Sequence, residues 1–131
     1  MKFIIIITFL IITSVANAQG NKSDLKITFI EGRGYYMNVY DLSPEMMGFM
    51  KKRKLHGGGP TWITLLETAL KKESPETLKL IELDDESSAV QVRSKSKSSI
   101  KKVQIITKKL MNNRKYLIKY INIASSNGFL E

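Results

Sequence analysis

Leu80-Ile81-Glu82-Leu83-Asp84-Asp85-Glu86-Ser87-Ser88-Ala89-Val90-Gln91-Val92-Arg93 decides the fold. Two short aliphatic runs, Leu80 to Leu83 and Ala89 to Arg93, flank the acidic turn Asp84 to Ser88, and that arrangement reads as a β-hairpin. Another hairpin stands upstream. Leu25 to Glu31 nearly alternates and is rich in β-branched and aromatic residues, Gly32-Arg33-Gly34 is a turn, and Tyr35 to Tyr40 is the returning strand.

Helical patterns lie between and after the hairpins. Ser43-Pro44-Glu45 is a helix start, with Ser43 as cap and Pro44 at the first helical position, leading into Met46, Met47, Phe49 and Met50. Gly57-Gly58-Gly59-Pro60 reads as a loop, and Trp62, Leu65, Leu66, Ala69 and Leu70 then mark one face of a helix from Thr61 to about Lys72. Ser74-Pro75-Glu76 opens a short turn of helix. Beyond the second hairpin, Ile100, Val103, Ile106 or Thr107, and Leu110 share a helix face, Asn112-Asn113 is a break, and Arg114 to Ser126 is a last helix with Leu117, Ile121 and Ala124 inward. The order ββαααββαα predicts a single α+β domain whose antiparallel sheet is built from hairpins, with helices packed on one face.

The amino-terminal segment is read separately. Met1-Lys2, an apolar run from Phe3 to Ile12 and the small-x-small site Ala16-Asn17-Ala18 have the layout of a secretory signal peptide, 1–18, ahead of a domain at 19–131. That run is shorter than the roughly 20 apolar residues of a membrane span, so no integral membrane association is expected. The expectation is a periplasmic or secreted protein beginning at Gln19, with Gln19 to Asp24 a short polar leader. Cleavage removes only Lys2 from 21 Lys and Arg and none of 12 Asp and Glu, so the net charge falls from +9 to +8.

Charge and composition narrow the chemistry. A basic surface draws acidic proteins, anionic envelope polymers or nucleic acid, but export and the lack of an RNP pattern or zinc-finger spacing argue against nucleic acid. The chain has no cysteine and one histidine, His56, which excludes a Cys/His pair and a histidine metal cage. Asp84, Asp85 and Glu86 are consecutive, as in a hydrated turn, and have neither the length nor the ligand alternation of a calcium loop. The triple glycine lacks the ending of a phosphate loop. No catalytic set, metal or cofactor is expected. The partner-binding residues expected are the cationic run Lys51, Lys52, Arg53 and Lys54 with His56 beside the glycine loop, and Tyr35 and Tyr36 on the first hairpin.

The succession Gly58-Gly59-Pro60-Thr61-Trp62, Leu65-Leu66, Ser74-Pro75-Glu76, Leu78, Ile81, Leu83-Asp84-Asp85-Glu86 and Ser96-Lys97-Ser98-Ser99-Ile100 resembles the bacterial polymorphic-toxin immunity family numbered fifty-one, over about Gly57 to Ala124. Ala89-Val90 stands where an aromatic is usual in that family's second strand. The resemblance implies a small non-enzymatic α+β protein that binds and blocks a protein toxin passed between competing bacteria. Joined to the signal peptide, it implies neutralisation in the periplasm. The alternative is an envelope protein that holds anionic cell-wall polymer, a hydrolase or lectin-like module.

Overall fold

A computed structural model describes residues 22–130, so the segment read as a signal peptide lies outside the described residues. Strands β1 (Thr28–Ile30) and β2 (Gly34–Val39) are followed by helices α1 (Pro44–Lys52), α2 (Gly59–Glu73) and α3 (Pro75–Lys79). Strands β3 (Glu82–Asp85) and β4 (Val90–Ser94) come next, then helices α4 (Lys97–Asn112) and α5 (Arg114–Ser126). This is the expected α+β order. All strand pairs are antiparallel, and the sheet order is β1-β2-β4-β3, so the two hairpins join through their second strands.

Period-two alternation divides the sheet into two faces. Met37, Val39, Val90 and Val92 are buried beneath α2 and α4, which pack on the strands, while α5 packs against both helices. The opposite face carries the row Thr28, Tyr36, Arg93 and Glu82 across all four strands, with Asn38, Gln91 and Asp84 beside it. Helices therefore cover one face, as the hairpin pattern requires.

Caps set the helix boundaries. Ser43 Oγ accepts from Met46 N–H at 3.3 Å, Ser96 Oγ from Ser99 N–H at 3.2 Å, and Asn113 Oδ1 from Tyr116 N–H at 3.1 Å. Asn113 thus closes α4 and opens α5, which explains the break at that position. Ser74 behaves otherwise, since its hydroxyl bonds Thr77 Oγ1 at 2.7 Å rather than capping α3. Trp62, Leu65, Leu66, Ile100, Ile106, Leu110, Leu117 and Tyr120 fill one continuous core.

Two expectations need correction. The leader does not extend to Asp24: Lys22 bridges Asp41, Ser23 N–H donates to Tyr40 O at 2.9 Å, and Ser23 Oγ donates to Asn38 O at 2.5 Å. A small hydroxyl that can bond the backbone makes this polar stretch part of the fold, and Leu25 behind it is buried. The second hairpin also sits two residues later than its aliphatic run implies at its first strand. Leu80 O accepts from Ser94 Oγ at 2.7 Å, leaving Leu80 exposed outside the strand, whereas Asp84 and Asp85 pair with Gln91 and Val90.

Candidate functional site

The sheet face opposite the helices is left uncovered. Arg93 stands in its middle, where Nη2 donates to Glu82 Oε2 at 2.8 Å and to Asp84 Oδ2, all three side chains rising from neighbouring strands. Arg93 Nε is buried without a hydrogen-bond partner. Two hollows flank this cluster. One, of about 580 Å³, is lined by Tyr36, Arg93 and three further cations, Arg33, Lys79 and Lys95; the other, of about 590 Å³, is lined by Asn38, Tyr40, Gln91 and, from the β3–β4 turn, Glu86.

The residues singled out in the sequence fall in separate places. Lys51 and Lys52 end α1, where cations complement the carbonyl end of the helix dipole, and Arg53 and Lys54 follow, all four exposed. Arg53 lies over the Phe49 ring at 4.6 Å, and Arg114 at the start of α5 lies over the same ring at the same distance. That pairing fastens the basic run to the helical layer. His56 is exposed in the loop that follows. Tyr35 pairs with Ser94 on the helix side and packs on Phe29 with ring centroids 5.0 Å apart, while Tyr36 pairs with Arg93 on the uncovered side. The hollow that Tyr36 lines includes none of Lys51 to Lys54 and not His56.

The glycine loop serves packing. Helix α2 already includes Gly59 and Pro60, so the loop is shorter than the glycine run implies. Gly59 N–H donates to Ser87 O at 2.8 Å, and a Cβ at Gly59 would collide with Asp85 Oδ1 and come within 2.8 Å of Ala89 O. The amino end of α2 therefore faces the chain's own acidic turn, and Asp85 Oδ1 also accepts from Ser87 N–H at 2.9 Å. A helix start already facing a carboxylate is not an open phosphate cradle. Among the described residues, no group of three or more His, Cys, Asp or Glu is placed to hold a metal ion, and no helix is long and apolar enough to cross a membrane.

Sequence reading missed two clusters. The first is the meeting of Arg33, Lys79, Arg93 and Lys95, which has no local signal because it depends on the β2–β4 pairing. The second joins α2 to α5: Tyr116 and Tyr120 hydroxyls both donate to Glu73 Oε2, with Lys109 Nζ 5.7 Å and Lys119 Nζ 5.1 Å from the two ring centroids. Burial pushes the Glu73 carboxyl up, but the two phenol bonds and the two lysines outweigh it and hold its pKa below the ordinary 4.5. Burial, then the Glu73 carboxylate, push both phenols above the usual 10, Tyr120 to about 12. The spacing of Tyr116 and Tyr120, one helical turn apart, was the available signal.

Compared with known proteins, the chain matches a family model described as Immunity protein 51 over residues 25–126, from the buried Leu25 to the last residue of α5. No curated protein and no solved structure matches it.

Proposed function

We propose that this chain, which belongs to the Immunity protein 51 family, is an exported immunity protein that captures its cognate toxin in the bacterial periplasm and blocks it by binding alone. Family membership supports the immunity role, and the layout of Met1 to Ala18 supports the compartment. The observation that carries the binding mode is the uncovered sheet face, where a row of four side chains, Thr28, Tyr36, Arg93 and Glu82, crosses the strands, the last three lining the first hollow, with the second hollow farther along the same face. An inhibitor of this kind needs a firm scaffold, a charged rim for fast encounter and a few anchoring side chains, with no acid-base machinery. The run Lys51 to Lys54, with His56 nearby, belongs to the rim in this reading, and Tyr36 belongs to the anchoring face.

The test is protection. An immunity gene is expected to lie beside the gene of its toxin; the protein encoded by that adjacent reading frame is directed to the periplasm with and without this protein, and survival is followed together with the stoichiometry of the purified complex. Survival with a one-to-one complex is expected. Protection by substoichiometric amounts with turnover of a substrate would make the protein an enzyme, and no protection would remove the immunity role. Mass spectrometry of envelope-purified protein is expected to find Gln19 at the amino terminus. An intact Met1 in the cytoplasmic fraction would overturn the compartment.

A further inference from the structure

We propose that the hollow ringed by Arg33, Lys79, Arg93 and Lys95 is a receptor for an acidic, partly apolar segment of the partner protein, a carboxylate seating among the cations while an aliphatic neighbour rests on Tyr36 and Leu80. The site deepens the immunity reading, on which the identity of the partner rests. Three separate pieces of chain build it: the β1–β2 turn supplies Arg33, the end of α3 Lys79, and the end of β4 with the residue after it Arg93 and Lys95.

The charge is uneven in a way that specifies the guest. Arg33, Lys79 and Lys95 are exposed and have no ion-pair partner among the described residues, whereas Arg93 shares Glu82 and Asp84 through a single nitrogen. Four cations therefore face two carboxylates. Arg93 Nε is buried without an acceptor, so both carboxylates are held through Nη2 and the unpaired charge of the hollow lies on Arg33, Lys79 and Lys95. At the other end of the same face, the second hollow has Glu86 as its one charged lining residue, so the surface is polarised along the strands. A docked segment consequently has a preferred direction.

A protein segment fits better than a polyanion. Leu80 is 56% exposed at the edge of the hollow and offers apolar area that a phosphate or uronate polymer has no group to cover. Glu82 and Asp84 repel a strand charged at every unit. They tolerate one whose carboxylates are spaced by neutral side chains.

The test compares two charge reversals of equal size in the mature protein. Lys79→Glu with Lys95→Glu alters the hollow, and Lys101→Glu with Lys102→Glu alters exposed positions on α4. Against the toxin of the adjacent reading frame, the hollow variant is expected to weaken binding about tenfold or more near physiological salt, and the α4 variant about twofold or less. Equal effects in folded variants overturn the proposal while leaving immunity intact. Should the wild type fail to bind that toxin, the immunity reading falls and a second readout decides the hollow. A capped peptide of alternating Glu and Leu, its Gln-for-Glu counterpart and polyphosphate are titrated against isotope-labelled protein. Saturable amide shifts at Arg33, Arg93 and Lys95 with the acidic peptide alone, absent in the hollow variant, are expected. No such shifts, shifts centred on Lys51 to Lys54, or tighter binding of polyphosphate at the hollow would each overturn the assignment.

Discussion

The Tyr116 hydroxyl donates a 2.5 Å hydrogen bond to Glu73 Oε2, and this contact fastens α5 to the last turn of α2. Tyr120 donates to the same oxygen, so one carboxylate holds two successive turns of the final helix. Glu73 has its pKa depressed on folding, so its contribution is complete above the ordinary 4.5 and is lost as pH falls through the folded value. Glu73→Gln is expected to cost about 1 kcal/mol at neutral pH, less than a buried charged hydrogen bond because the carboxylate is partly screened. In urea unfolding across a pH series, the gap between variant and wild type should close below 4.5. A constant gap would assign the loss to something other than the charge.

The phenols give the alkaline counterpart. Their pKa values are raised on folding, so their contribution is whole below the ordinary 10 and is lost as pH rises through the folded values, about 12 for Tyr120. Ultraviolet titration is expected to show Tyr116 and Tyr120 ionising late in the wild type and earlier in Glu73→Gln. Unchanged late ionisation in the variant would leave burial as the whole cause.

Trp62 is completely buried, and its Nε1–H has no acceptor. Trp62→Ala is expected to lower stability by about 3 to 5 kcal/mol, chiefly through the cavity it leaves. Trp62→Phe should cost less than its lost volume implies, because it also removes an unsatisfied donor. Chemical denaturation measures both, and a Phe cost at or above that implied by its lost volume would show that the indole N–H is satisfied in solution.

Two glycines should respond in opposite directions. Gly59→Ala drives a methyl group into the acidic turn and is expected to cost about 1 to 3 kcal/mol. Gly48 is exposed within α1, where an added methyl group would meet nothing within 4 Å, and its change to Ala is expected to gain about 0.5 to 1 kcal/mol. The melting temperature of each variant relative to the wild type checks its sign, and a stable Gly59→Ala would mean that the β3–β4 turn yields easily.

For the cationic run, Lys52→Glu with Lys54→Glu is expected to slow toxin association severalfold at low salt. The difference should shrink as salt rises toward roughly 0.5 M, where the Debye length is about 4 Å. A matching rise in dissociation rate would move these lysines from the rim into direct contact.

Local chemistry made much of this fold legible. Ser43-Pro44 marks the start of α1, Ile100, Val103, Ile106 and Leu110 mark the buried side of α4, and Asn113 marks the junction of the last two helices. Features that depend on distant chain were hidden. The aliphatic Leu80 and Ile81 imply an earlier β3 than the register with β4 permits, because Ser94 Oγ engages the Leu80 carbonyl. Tyr120 has a polar end and was not read as core, yet Glu73 receives its hydroxyl while its ring is buried. The cationic run is visible in the sequence because its members are adjacent. The ring of cations around Tyr36 is not, because its members meet only in three dimensions.

The central pairing of β2 with β4 spans the three helices between them and therefore dictates when the sheet can close. Until β4 has been made, only the three paired positions of the β1–β2 hairpin exist, too little to stand alone in water. Such non-local pairing slows folding relative to a helical bundle of similar size. Under the proposed export, this delay would let most of the sequence cross a membrane before a stable sheet obstructs its passage. The row from Thr28 to Glu82 is complete only once β4 joins β2 to β3, so a truncated chain ending before β4 would lack the centre of the proposed docking face.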